Sequence, residues 1–211
     1  MISQIENIDC VKGMQKYPRK FFDLAIVDPP YGLGDRLSKG GGKMTNTPMA
    51  QLYQDKINEN GGWDVLPSAD YWKELFRVSK NQVVFGANYF IEHLHSSRGF
   101  IVWDKAQMMD TLSRCELAWT SFDFPAKIYE QRSNDNNRFH PTQKPIELYK
   151  YCINLCARKG DIILDTHLGS GSSRIAAHNL GFDFYGYEID KEYFEKGQKR
   201  FEQETMQTSL F

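Results

Sequence analysis

The chain has 211 residues, enough for one domain with a sizeable core and too few for two large ones. Apolar residues make up 41% and charged residues 25%, no run of eighteen apolar residues occurs, and the start MISQIENIDC lacks a basic stretch followed by an apolar one. This argues against a membrane span and secretion and leads to the expectation of a cytoplasmic protein; the net charge of −1 means that any contact with nucleic acid must come from a local basic face.

The pattern predicts a weak strand near 5–8 and then a continuous apolar run, Leu24 to Val27, of the kind covered on both faces of a parallel sheet. This run ends in DPPY (28–31). Two prolines remove two backbone donors and hold the chain extended, so Asp28 and Tyr31 stand at the carboxyl end of a strand, where open α/β sheets hold their ligands. A capped turn with a packed tyrosine is the plainer alternative. Residues 32–62 follow, with seven glycines and almost no periodicity, a long loop of the kind that is usually functional. Its first part carries Arg36, Lys39 and Lys43 against Asp35.

Ser68 or Asp70 is placed to cap a helix through DYWKELFRVSK, with Trp72, Leu75, Phe76 and Val78 facing inward. Strands are then predicted at 82–86, 99–103 and 115–119, with a weaker one at 126–129. The polar stretch 131–140 carries Arg132 and Arg138. Pro145 opens a helix through KPIELYKYCINLCARKG that closes on Gly160, with Ile146, Tyr149, Ile153 and Cys156 on one face. Strands at 161–165 and 184–188 flank a helix ending at Gly181, and Asp190 caps a last helix with Tyr193, Phe194 and Phe201 in one stripe. Strands alternating with helices predict an α/β fold: one mostly parallel, Rossmann-like sheet with helices on both faces. Cys10, Cys115, Cys152 and Cys156 lack the paired spacing of a zinc site and read as reduced core cysteines, and the five histidines form no recognisable ligand set, so no metal is expected.

A second site is predicted in DIILDTHLGSGSSRIAAHNLG (161–181), a strand, a glycine turn and a helix. Gly169 and Gly171 allow a tight turn and close approach to a ligand. Glu188 ends the next strand, where an acid can accept both ribose hydroxyls. A nicotinamide dinucleotide is one ligand for such a site, but Arg174 occupies the place of the third glycine in that fingerprint. Asp165, at the strand tip, also suits a cationic amino group such as the α-ammonium of S-adenosylmethionine.

Taken together and in this order, DPPY (28–31), HPTQKP (140–145) and LDTHLGSGSS (164–173) resemble the DNA amino-methyltransferases, which methylate the exocyclic nitrogen of adenine or cytosine. With the catalytic motif first and the cofactor glycines last, the chain looks like the circularly permuted β group of that family. NIDC (7–10), FGANYF (85–90), WDK (103–105) and ELAW (116–119) extend the likeness over nearly the whole chain. The resemblance implies a single S-adenosylmethionine-dependent methyltransferase domain over 1–211, acting on double-stranded DNA by base flipping and direct in-line transfer, with no metal. Asp28, Pro29, Pro30 and Tyr31 would form the clamp: the carboxylate and a proline-segment carbonyl accept the two amino hydrogens, and the ring stacks on the flipped base.

By the same resemblance, Asp165, His167, Gly169, Ser170 and Gly171 line the methionine part of the cofactor, with Thr142, Gln143 and Lys144 near its carboxylate. Glu188 would hold the ribose and Asp9 the adenine amino group. The chain departs from the family in Thr166 and His167, which replace a proline and a phenylalanine, and in the roughly twenty residues between ELAW and His140, too few for a target-recognition domain. The 32–62 loop with Arg36, Lys39 and Lys43, helped by Arg132 and Arg138, is therefore expected to contact DNA, and a homodimer could help embrace the duplex. Aspartate in DPPY favours adenine. Cytosine-N4 transfer is the alternative, and a catalytically silent cofactor-binding module is another.

Overall fold

The computed structural model describes residues 1–33, 64–106, 113–132 and 138–208. Eight strands form one sheet: β1 (Ser3–Asn7), β2 (Phe22–Val27), β3 (Ser79–Phe85), β4 (Phe100–Asp104), β5 (Cys115–Thr120), β6 (Lys127–Glu130), β7 (Ile162–Asp165) and β8 (Asp183–Glu188). Their spatial order is β1-β8-β7-β2-β3-β5-β4-β6. Only the pairings of β5 with β3 and with β4 are antiparallel; the other five are parallel, so the sheet is mostly parallel as expected. The two weak predictions, near 5–8 and 126–129, correspond to the edge strands β1 and β6. Their half-buried alternation blurs the apolar signal that central strands give.

Five helices are described: α1 (Cys10–Met14), α2 (Ala69–Val78), α3 (Ile146–Cys156), α4 (Ser172–Asn179) and α5 (Lys191–Thr208). None is long and apolar enough to cross a membrane. Ser68 caps α2 by accepting from the Tyr71 N–H at 3.3 Å, and Asp190 caps α5 by accepting from Glu192 and Tyr193. α3 ends four residues before the predicted stop at Gly160, because Ala157 turns to extended backbone. Its buried face is Leu148, Tyr149, Cys152, Ile153 and Cys156, shifted from the predicted stripe by the bulk that Leu148 and Cys152 place against the sheet. All four cysteines are free thiols.

Two apolar layers sandwich the sheet. Leu24, Ile26, Val83, Phe85 and Ile163 face α3 and α4, while Ala25, Val27, Val84 and Leu164 face α1 and α2. Alternate residues of the same strands thus feed opposite cores, which is why those strands read as unbroken apolar runs. Arg174, the residue that breaks the dinucleotide fingerprint, ties α4 to both neighbours. Its guanidinium donates to the Ser3 hydroxyl at 2.9 Å and to Gln198 at 2.6 Å, and lies 3.7 Å from the Phe201 ring centre.

The chain leaves β2 toward β3 on one side and leaves β7 toward β8 on the other. The boundary between β2 and β7, which pair in parallel with Ala25 opposite Leu164, is therefore the topological switch point. Parallel pairing puts the ends of β1, β8, β7, β2 and β3 on one edge. The antiparallel β5 brings its beginning to that same edge, beside the end of β4.

Candidate active site

Asp28 projects from the tip of β2 and Asp165 from the tip of β7, on the two strands that meet at the switch point. Tyr31 folds back so that its hydroxyl donates to Asp28 Oδ1 at 2.6 Å. Between these residues run Pro29 and Pro30, whose carbonyls accept no backbone hydrogen bond among the described residues. The segment is held from the far end of the loop: Asp64 accepts from the Gly32 N–H at 3.0 Å and from the Leu33 N–H at 2.6 Å. Gly32 and Leu33 are thus tied to Asp64 beside the clamp. No sequence signal marked Asp64.

Glycine is required at position 86. Its φ is +69°, and a Cβ there would lie 2.2 Å from the Tyr31 ring. The turn that follows carries Tyr89, which stacks on Tyr31 with ring centres 4.8 Å apart and planes 16° apart. Tyr89 is 41% exposed, so the aromatic surface at the site belongs to a tyrosine pair rather than to Tyr31 alone.

The second acceptor oxygen of Asp28 meets Lys144. Its ammonium lies 2.6 Å from Asp28 Oδ2 and 3.1 Å from Glu116 Oε2, and its side chain is 2% exposed. Glu116 is also paired with Lys105 at 2.6 Å. Lys144, expected with Thr142 and Gln143 near the cofactor carboxylate, here has its buried ammonium paired with two carboxylates at the clamp. Burial raises the Asp28 carboxyl above the ordinary range; Lys144 opposes that rise and Glu116 adds to it. Burial would raise Glu116 as well, but Lys144 and Lys105 together hold it at about 2.

The other half of the site is a glycine turn under two acids. Asp165 is 1% exposed and accepts from the Ser173 hydroxyl and the His167 N–H. No lysine or arginine among the described residues pairs with it, and burial pushes its pKa up to about 7. A buried carboxylate without a cation is well matched to a ligand that brings one. Gly169 (φ +51°) and Gly171 (φ +76°) turn the chain, and the Gly169 N–H donates to Glu188 Oε2 at 2.7 Å. The other Glu188 oxygen accepts from the Asp190 N–H, so both backbone bonds fix the carboxylate, which burial also raises above its usual range.

His140, the first residue of HPTQKP, packs over this turn. His140 Nε2 would lie 3.3 Å from a Cβ on Gly169, and the His140 ring packs against Tyr193 at 4.4 Å. Thr142 shares a hydrogen bond with His140 Nδ1 at 3.2 Å, and the Gln143 N–H donates to the His140 carbonyl.

Residues 92–199 match the family model described as DNA methylase, just over half of the chain. The chain belongs to the DNA methylase family. The DNA adenine methyltransferase YhdJ of Escherichia coli is 24% identical, over 91% of this methylase and 80% of the relative. The solved M1.HpyAVI–SAM complex is 25% identical, with a TM-score of 0.59 over 95% of this chain and 100% of that one. The PvuII DNA methyltransferase, named as cytosine-N4-specific, shares the fold at a TM-score of 0.67 and 13% identity, over 97% and 91% of the two chains.

Several predicted residues lie around the edges of this methylase's site. Asp9 caps α1, accepting from the Lys12 N–H at 3.0 Å. Ser170 shares a hydrogen bond with Ser172, and its carbonyl accepts from Arg200. His167 shares a hydrogen bond with Thr166, which in turn bonds the Tyr71 hydroxyl. The imidazole sits 3.9 Å from the Cys10 sulfur, and burial lowers its pKa to about 4. The departure from the family pattern thus supplies a neutral, hydrogen-bonded ring. Arg132 is exposed, and Arg138 donates to the Pro141 carbonyl. Arg36, Lys39, Lys43 and the rest of the loop beyond Leu33 lie outside the described residues. Sequence reasoning missed Glu116, Lys105 and Tyr89 as site members, although ELAW, WDK and FGANYF contain them.

Proposed function

We propose that this protein transfers a methyl group from S-adenosylmethionine to the N6 amino group of adenine in double-stranded DNA. The observation that carries the reading is the Asp28–Tyr31 clamp on β2, set beside the uncompensated Asp165 on β7 at the switch point. Asp165 would receive the ammonium of the donor's methionine part, the Gly169–Gly171 turn its backbone, and Glu188 its ribose. When bound, S-adenosylmethionine supplies a methyl group already activated on a sulfonium.

The chain's own residues then make the nucleophile. The lone pair of an adenine amino group is delocalised into the ring. Asp28 accepts one amino hydrogen, and a carbonyl of the Pro29–Pro30 segment accepts the other. The nitrogen is drawn toward a tetrahedral geometry, with its lone pair aimed at the methyl carbon. That lone pair forms the new bond while the carbon–sulfur bond breaks with its electrons on sulfur, and the surplus proton on nitrogen leaves to water. Reaching the clamp requires the base to leave the duplex and stack on the tyrosine pair.

The aspartate of DPPY favours adenine, whereas the fold shared with a cytosine-N4 enzyme supports the same clamp acting on cytosine. Incubation with tritiated S-adenosylmethionine and mixed-sequence duplex DNA, followed by nucleoside chromatography, separates the two. N6-methyladenine is expected; label in N4-methylcytosine would replace the adenine reading, and an Asp28→Ala variant that stayed active would remove the clamp from the mechanism.

A further inference from the structure

Glu116, Lys105 and Lys144 form a largely enclosed row of alternating charge, with Lys144 fully buried, that ends on the clamp. From the sheet edge inward it runs Lys105, Glu116, Lys144, Asp28, with successive contacts of 2.6, 3.1 and 2.6 Å. Its members come from four separate places: just past β4, the start of β5, the segment before α3, and the tip of β2. Withdrawing these four charges from most of their water is costly unless their arrangement does something an apolar cluster could not. We propose that Glu116 is a positioning residue for methyl transfer, acting through Lys144 to keep the negative charge of Asp28 available to the target nitrogen. The proposal rests on the methyltransferase reading above.

The effect is electrostatic. During transfer, positive charge grows on the amino nitrogen that Asp28 holds, and an anion in a water-poor site stabilises it strongly. Lys144 alone would cancel that anion, because its ammonium sits against Asp28 with almost no access to water. Glu116 offsets Lys144 from the other side, so Asp28 keeps a net charge to offer. Lys105 keeps Glu116 ionised and gives it a fixed place. The same row orders the clamp: Lys144 also donates to the Tyr31 hydroxyl at 3.3 Å and lies 5.1 Å from the Phe85 ring centre.

Among the described residues, the ionisable groups that face Asp28 are Lys144, Glu116, the hydroxyls of Tyr31, Tyr71 and Tyr149, and Asp165. The phenols are held above their ordinary values by burial and stay neutral near pH 7. Lys144 favours the ionised form of Asp28 and Glu116 disfavours it. The two partners therefore act with opposite sign on the pH at which Asp28 loses its charge.

The test is the pH–rate profile of single-turnover transfer for the full chain and two variants. Glu116→Gln is expected to slow transfer about tenfold at pH 8 and to move the acid limb to lower pH by about one unit. Lys144→Met is expected to move the same limb upward by about one unit. S-adenosylmethionine affinity, measured by calorimetry, should hold within twofold in Glu116→Gln and serves as its folding control. If that variant does not fold, Lys105→Met weakens the ionisation of the same carboxylate from the solvent side and should likewise lower the limb. A merely structural Glu116 would lower thermal stability and leave the limb in place, which would overturn the proposal, as would an upward shift in Glu116→Gln. Wild-type protein that transfers no methyl group to DNA would instead count against the methyltransferase reading itself.

Discussion

Asp165 allows a prediction in which binding and stability move in opposite directions. The carboxyl group has an ordinary value of 3.8 and is pushed to about 7 by burial, against the opposing hydrogen bonds from Ser173 and the His167 N–H. That is a factor of roughly a thousand in proton affinity, or about 4 kcal/mol. The folded-state value is raised, so the protonated folded form is the stable one. The stability attached to this group is complete below the unfolded value near 4 and is lost as pH rises toward 7. At pH 8 the fold therefore carries an ionised carboxylate at close to the full cost.

Asp165→Asn removes that charge and keeps the shape. The Asn carbonyl can accept from the His167 N–H, and its amide can donate to the Ser173 hydroxyl, which can accept as well as donate. Allowing for the lost charge-assisted bonds, a net gain of about 2 kcal/mol is expected at pH 8. The gain should shrink toward pH 5, where the wild-type group is protonated in the folded state. Urea denaturation of both proteins at pH 8 and pH 5 measures the difference, and calorimetry measures S-adenosylmethionine affinity, which should fall at least a hundredfold. An Asn variant less stable than wild type at pH 8, or one that binds the cofactor normally, would refute the reasoning.

Three further outcomes follow from the geometry and the sequence. Tyr31→Phe keeps the stacked ring but loses the bond to Asp28, so methyl transfer should fall about tenfold, with a larger loss for Tyr31→Ala; equal rates for Phe and wild type would confine the role to the ring. Gly86→Ala forces an L residue into φ +69° and a Cβ into the Tyr31 ring; a loss of transfer of at least tenfold with unchanged cofactor affinity is expected from kinetics and calorimetry. Replacing Arg36, Lys39 and Lys43 together by alanine should flatten the salt dependence of DNA binding by about 0.9 in log–log slope for each phosphate no longer neutralised, and an unchanged slope in filter-binding titrations would move the DNA surface elsewhere.

The sheet, its parallel character and the two acidic strand tips are legible in the residues alone. Apolar runs that end in DPPY or in DTHLGSG carry their own explanation, since strand, turn and ligand chemistry are contiguous there. Local signals also gave the cap at Asp190 and narrowed the other to Ser68 or Asp70, of which Ser68 caps the helix. The membership of the clamp, by contrast, depends on how the chain packs. Glu116 is 88 residues from Asp28 along the chain, and the antiparallel return of β5 is what turns its first residues to the edge where the parallel strands end. Lys144 sits in a motif whose first residue, His140, packs at the glycine turn, yet its long side chain reaches Asp28 and Glu116. Tyr89 became visible only because Gly86 bends the chain back over Tyr31. Periodicity and motif report what a residue does to its own strand or helix. A buried charge is satisfied by whatever the fold brings within about 3 Å, and that partner is set by topology.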